Sequence, residues 1–100
     1  MVKHIVMLQL KDYPNKTQKL ENALQLKKAL EHLKIFIDEI KYLEVGLNFS
    51  ESPHAYDLVL TTTFNSEIDL DKYMNHPEHK KVLVYLNQVT EKKALVDYEI

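Results

Sequence analysis

Val2-Lys3-His4-Ile5-Val6-Met7-Leu8-Gln9-Leu10-Lys11 stands at the start of the chain, and its reading decides the fold. Valine, isoleucine and leucine dominate it, so it reads as a β-strand. The period of two puts Val2, His4, Val6, Leu8 and Leu10 on one face and Ile5 and Met7 on the other. The apolar run is short, broken by Gln9 and without a small-residue cleavage site, which separates it from a signal peptide. A strand apolar on both faces needs cover on both sides.

Working outward, Lys11 to Asn15 reads as the turn that ends this strand. Asn15 followed by Gln18 resembles a capping box. A helix is expected to about Phe36, with Leu20, Ala23, Leu24, Leu30, Leu33 and Ile37 as its apolar stripe. Ile40 to Phe49 alternates, placing Leu43, Val45, Leu47 and Phe49 on one face of a second strand. Gly46 within it suggests a bulge or a close backbone approach. After a loop at 50–54, Tyr56 to Phe64 forms a third strand with Tyr56, Leu58, Leu60 and Phe64 on one face and Val59 opposite. Ser66 with Asp69 caps a short helix through about Tyr73, and Pro77 opens a further helix through Val89. Lys93 to Ile100 alternates as the last strand. The order βαββαβ predicts a single α+β domain over 1–100, a four-stranded antiparallel sheet with helices on one face.

Helices cover one side of such a sheet, and the apolar residues left on the other are costly to keep wet, at roughly 25 cal/mol per Å². The economical cover is a second copy, sheet against sheet, so a homodimer is expected. The composition narrows the partners further. A net charge of −2 with mixed signs gives no basic face for nucleic acid. No stretch approaches the roughly 20 apolar residues of a membrane span. Zero cysteines exclude disulfides and thiolate chemistry and fit a cytoplasmic location. A lone glycine excludes glycine-rich phosphate loops, and no Gly-x-Ser-x-Gly elbow is present.

The chemistry concentrates in Tyr73-Met74-Asn75-His76-Pro77-Glu78-His79. With Pro77 as first helical residue, His76 is the N-cap and His79 the third residue of the helix. The positive end of the helix dipole disfavours an imidazolium at His79, which keeps the ring neutral and able to accept a proton. Tyr73, about a turn earlier, is placed to orient a substrate oxygen, and His4 shares its strand face with Val6 and Leu8. The structural alternative is that His76 simply caps its helix and His79 bonds to backbone. His76 and His79 lack a third ligand for zinc, so neither a metal nor a cofactor is expected. His32 on a charged helix and His54 in a loop read as solvated.

The opening Val2 to Val6, Leu43-Glu44-Val45-Gly46-Leu47-Asn48, Tyr56-Asp57, the Tyr73 to His79 segment and Val96-Asp97-Tyr98 together resemble the stress-responsive dimeric α/β-barrel proteins. The resemblance runs the length of the chain. It implies a ferredoxin-like fold in which two sheets associate into an α+β barrel. Olivetolic acid cyclase, a plant member of that family, closes a tetraketide thioester by an intramolecular aldol reaction. By that likeness His79 is the catalytic base and Tyr73 its support. His4, Val6, Leu8, Leu60, Thr62 and His76 then become substrate-binding positions around a small apolar cavity for a carbonyl-bearing or aromatic ligand. The pocket differs, because the first helix offers Leu26, Lys27 and Leu30 where that enzyme has aromatics. Two rival functions stay open: a non-catalytic stress-response protein with structural histidines, and a monooxygenase on the same barrel. The absence of tryptophan weakens the haem-cleaving version of the latter.

Overall fold

A computed structural model describes residues 1–12 and 15–100. The strands are β1 (Val2–Leu10), β2 (Tyr42–Leu47), β3 (Leu58–Phe64) and β4 (Thr90–Glu99), and the helices α1 (Lys16–Phe36), α2 (Glu67–Asn75) and α3 (Pro77–Val89). The sheet order is β2-β3-β1-β4, antiparallel throughout, with β1 in the interior between β3 and β4. This is the ferredoxin-like α+β arrangement, with the second crossover split into α2 and α3 at Pro77. The turn expected at 11–15 falls partly on Tyr13 and Pro14, outside the described residues.

Sequence chemistry explains the boundaries. The Asn15 side chain accepts from the Gln18 N–H at 2.9 Å. The Gln18 side chain reaches forward to Asn22 instead of back to the cap, so the expected box is half formed. Ser66 Oγ accepts from the Asp69 N–H at 3.2 Å and starts α2. β2 ends at Leu47, short of Phe49, because Asn48 turns the chain by bonding the Ser50 carbonyl and N–H. Phe49 is consequently 98% exposed, not on a buried face. β4 begins at Thr90, directly after α3 and three residues before the expected start.

The register fixes what shares a face. On the helix side, Leu47–Leu58–Leu8–Lys93, Val45–Leu60–Val6–Leu95 and Leu43–Thr62–His4–Asp97 form successive cross-strand rows. Leu8, Leu10, Val45, Leu58, Leu60 and Phe64 from this side join the core. α1 contributes Ala23, Leu26, Leu30 and Leu33, followed by Ile37 at its end. Leu20 and Leu24 are half-exposed, so the expected stripe was displaced toward solvent and omitted Leu26. At about 100° per residue, the buried positions span roughly 80° of the helix, and Leu20 and Leu24 lie about 100° and 140° from its centre.

On the opposite side the rows are Gly46–Val59–Met7–Ala94, Glu44–Thr61–Ile5–Val96 and Tyr42–Thr63–Lys3–Tyr98. No helix among the described residues covers them, and Met7, Val96 and Tyr98 are each at least 39% exposed. Gly46 makes no bulge, since β2 pairs with β3 in unbroken register. A Cβ at Gly46 would meet Val59 Cγ1 at 3.3 Å, which is the close approach a glycine relieves. The sheet's register shift lies elsewhere, between Gln9 and Leu10 against β4.

Candidate functional site

Between the helices and the sheet lies a cavity of about 250 Å³. Val6, Leu8 and Leu60 come from the sheet, Leu30 from α1, and Val82, Leu83 and Leu86 from α3. Met74, Lys93 and Leu95 lie at its exposed rim. The other polar side chains on its wall are His4, Tyr73 and His79. Titratable groups surrounded by apolar walls are the usual makings of a small-molecule site.

Each of the three is positioned by local structure. Pro77 starts α3, and the His76 side chain caps it by accepting the Glu78 N–H at Nδ1, 3.1 Å away. The first turn of α3 then turns His79 inward, where it is buried. The His79 ring lies 4.5 Å, centroid to centroid, from the Tyr73 ring at the end of α2. Tyr73 in turn packs on Phe64 at 5.1 Å and edge-on to His4 at 5.9 Å. The break between α2 and α3 thus brings Tyr73 and His79 together, and β1 supplies His4 from below.

Hydrogen bonding fixes the protons. His79 Nδ1 faces the Met74 carbonyl at 3.2 Å. A carbonyl only accepts, so Nδ1 carries the hydrogen and Nε2 keeps its lone pair. Burial is the chief cause that lowers the His79 pKa below its ordinary value, and positive charge at His4, His76 and Lys93 acts in the same direction. The Met74 bond opposes them. The direction is the one expected from the sequence, with burial as its first cause. Burial also pushes the Tyr73 phenol well above its ordinary value, so it stays a neutral hydrogen-bond donor.

His4 has a partner that sequence reasoning missed. Its Nδ1 lies 2.5 Å from Asp97 Oδ1, directly opposite in the β1–β4 register. An ionised carboxylate only accepts, which puts a proton on Nδ1 and leaves Nε2 for another contact. The signal available in advance was the alternation Leu95, Asp97, Glu99, but only strand pairing shows which residue Asp97 meets.

Two expected ligand positions lie elsewhere. Thr62 is fully buried beside His4 in the β1–β3 register, its hydroxyl donating to the His4 carbonyl at 3.3 Å, and it is not on the cavity wall. His76 also lies off that wall, with one ring nitrogen spent on the α3 cap. His4, Val6, Leu8, Leu60, Tyr73 and His79 are gathered around one space. Among the described residues no group of three or more histidine or acidic side chains is arranged to hold a metal ion.

The same architecture recurs in solved structures. A dimeric protein of unknown function with a ferredoxin-like fold from Bacteroides fragilis is 35% identical, with a TM-score of 0.90 over 99% of this chain and 95% of its own. A hydroxynitrile lyase from Passiflora edulis is 18% identical, with a TM-score of 0.82 over 99% and 92% of the two chains. An antibiotic biosynthesis monooxygenase is 14% identical, with a TM-score of 0.78 over 100% and 98%. At those identities the two enzymes share the fold and nothing more is carried from them. The model of the stress responsive A/B barrel domain matches residues 2–100. With sequence pattern, topology and this match all pointing one way, the chain belongs to the stress responsive A/B barrel domain family.

Proposed function

We propose that the protein is a homodimer whose cavity, one in each subunit, binds and converts a small carbonyl-bearing or aromatic metabolite. The observation that carries this reading is His79, a neutral imidazole with its Nε2 lone pair uncommitted, on a mainly apolar wall beside a protonated phenol. In this scheme His79 Nε2 accepts a proton from an acidic C–H or O–H of the ligand. Tyr73 donates to the ligand oxygen, and His4, held from behind by Asp97, contacts it through Nε2. Such positioned acid–base groups typically supply 10²–10⁴-fold of rate. The uncovered face carrying Ile5, Met7, Val59, Val96 and Tyr98 supports pairing with a second copy, as does the dimeric Bacteroides fragilis structure. No helix among the described residues is long and apolar enough to cross a membrane. The mixed charge argues against nucleic acid, and the lack of cysteine favours a cytoplasmic setting.

The close, tilted packing of Phe64, Tyr73 and His79 favours one rival, in which the rings serve only to fill the core. Thermal-shift screening of aromatic acids, ketones and lactones on wild type and His79→Ala separates the two. The site reading expects at least one compound that raises the wild-type Tm and leaves the variant unmoved. A variant that is merely less stable, with no compound stabilising wild type, would favour the core-filling role.

A further inference from the structure

The cavity's polar groups are not distributed evenly. His4, Tyr73 and His79 lie together, whereas Lys93 stands alone at the rim among Leu95 and Met74. Lys93 pairs with Leu8 in the β1–β4 register, so its stem rises from β4 beside a residue of the cavity wall. Its ammonium is anchored to the end of α3, with Nζ donating to Asn87 Oδ1 at 2.8 Å. None of the ion pairs among the described residues uses Lys93. The cation is thus held in place by a neutral amide and keeps donors to spare.

Resting on the reading of the cavity as a ligand site, we propose that Lys93 selects ligands that carry a carboxylate, so the substrate class is a small apolar acid. The acid's body would lie against Leu30, Leu60 and Leu86, with its carboxylate at Lys93. That polarity directs the opposite end, and any carbonyl on it, toward Tyr73 and His79. A point charge beside apolar walls discriminates more strongly than the same charge in water, because the surrounding medium screens it less. Positive charge at Lys93 is the smallest of the causes that lower the His79 pKa, with the sign expected of a cation on the rim of the same cavity.

The test uses two isosteric probes, 3-phenylpropanoate and 3-phenylpropanamide, titrated by calorimetry into the full-length wild type, Lys93→Met, Lys93→Arg and His79→Ala. Wild type should bind the acid at least ten-fold tighter than the amide. Lys93→Met should lose that preference through weaker acid binding while its amide affinity stays put, and Lys93→Arg should retain it. Equal binding of the two probes by wild type, or a preference that survives in Lys93→Met, overturns the assignment. If the amide still binds in a His79-dependent manner, the cavity reading stands and only Lys93 falls. If wild type binds neither probe, the Lys93 assignment falls, and the cavity reading is decided by the thermal-shift screen.

Discussion

Take two neighbouring rows of the same sheet, Val45–Leu60–Val6–Leu95 and Glu44–Thr61–Ile5–Val96. Each crosses all four strands, one residue apart in every strand. Val45, Leu60 and Val6 of the first are packed beneath helices, with Leu95 at the cavity rim, and the second has no described helix over it. The helix-covered side holds His4, and its helices hold Tyr73 and His79, whereas the bare side offers mainly aliphatic and threonine side chains. A period of two lets one set of strands build a reactive interior and an adhesive exterior without either constraining the other. The difference teaches that burial, not composition, separates the two roles, since both rows are rich in β-branched and aliphatic residues.

The comparison breaks most severely at the covered face. Phe64 is fully buried against Tyr73, so Phe64→Ala should cost about 3–5 kcal/mol of folding stability in denaturant titrations. It should also loosen the Tyr73–His79 contact. The bare face should respond in a different currency. Val96→Glu, at the β4 end of the middle row of that face, should leave the fold intact and abolish association. Sedimentation would then report a monomer, and Tm would lose its dependence on protein concentration.

A subtler difference is one of pH. His79 is held below its ordinary value of 6.5, so the unfolded ring takes up a proton at a higher pH than the folded one. Stability from the neutral ring is therefore complete above about pH 6.5 and declines as the pH falls through that value, levelling off below the folded-state pKa. His79→Gln should flatten this part of the stability profile measured by urea unfolding between pH 7.5 and 4.5, pH values set around that ordinary value by roughly one to two units. The smallest effect is expected outside both faces. Leu24 is half-exposed on α1, and Leu24→Ala should change stability by less than about 0.5 kcal/mol.

Much of this was legible in the chain. β1 declared both of its faces, Ser66 and His76 declared the starts of α2 and α3, and Pro77 declared the break that joins Tyr73 to His79. These signals are local: a cap, a proline, an alternation. What escaped was decided at a distance. Leu20 and Leu24 have the same side chain as Leu26, and only the angle at which α1 meets the sheet decides which is buried. Phe49 continued an alternation that Asn48 had already ended by hydrogen-bonding its own neighbours. The link from His4 to Asp97 depends on strand register, as does the placement of Lys93 over Leu8. Thr62 lost its expected place on the wall for a related reason, its hydroxyl being taken up by the His4 carbonyl across the strand pair.

The central claim is that His79 is a neutral base facing a ligand cavity, and ring-nitrogen NMR tests it most directly. A pH titration of ¹⁵N-histidine-labelled protein, without and with 3-phenylpropanamide, would follow His79 alongside the exposed His32 and His54. The account predicts an Nδ1–H tautomer for His79, a pKa below 6.5, and an Nε2 resonance that moves with the probe while those of His32 and His54 stay still. An Nε2–H tautomer, or an Nε2 resonance indifferent to the probe, would contradict it.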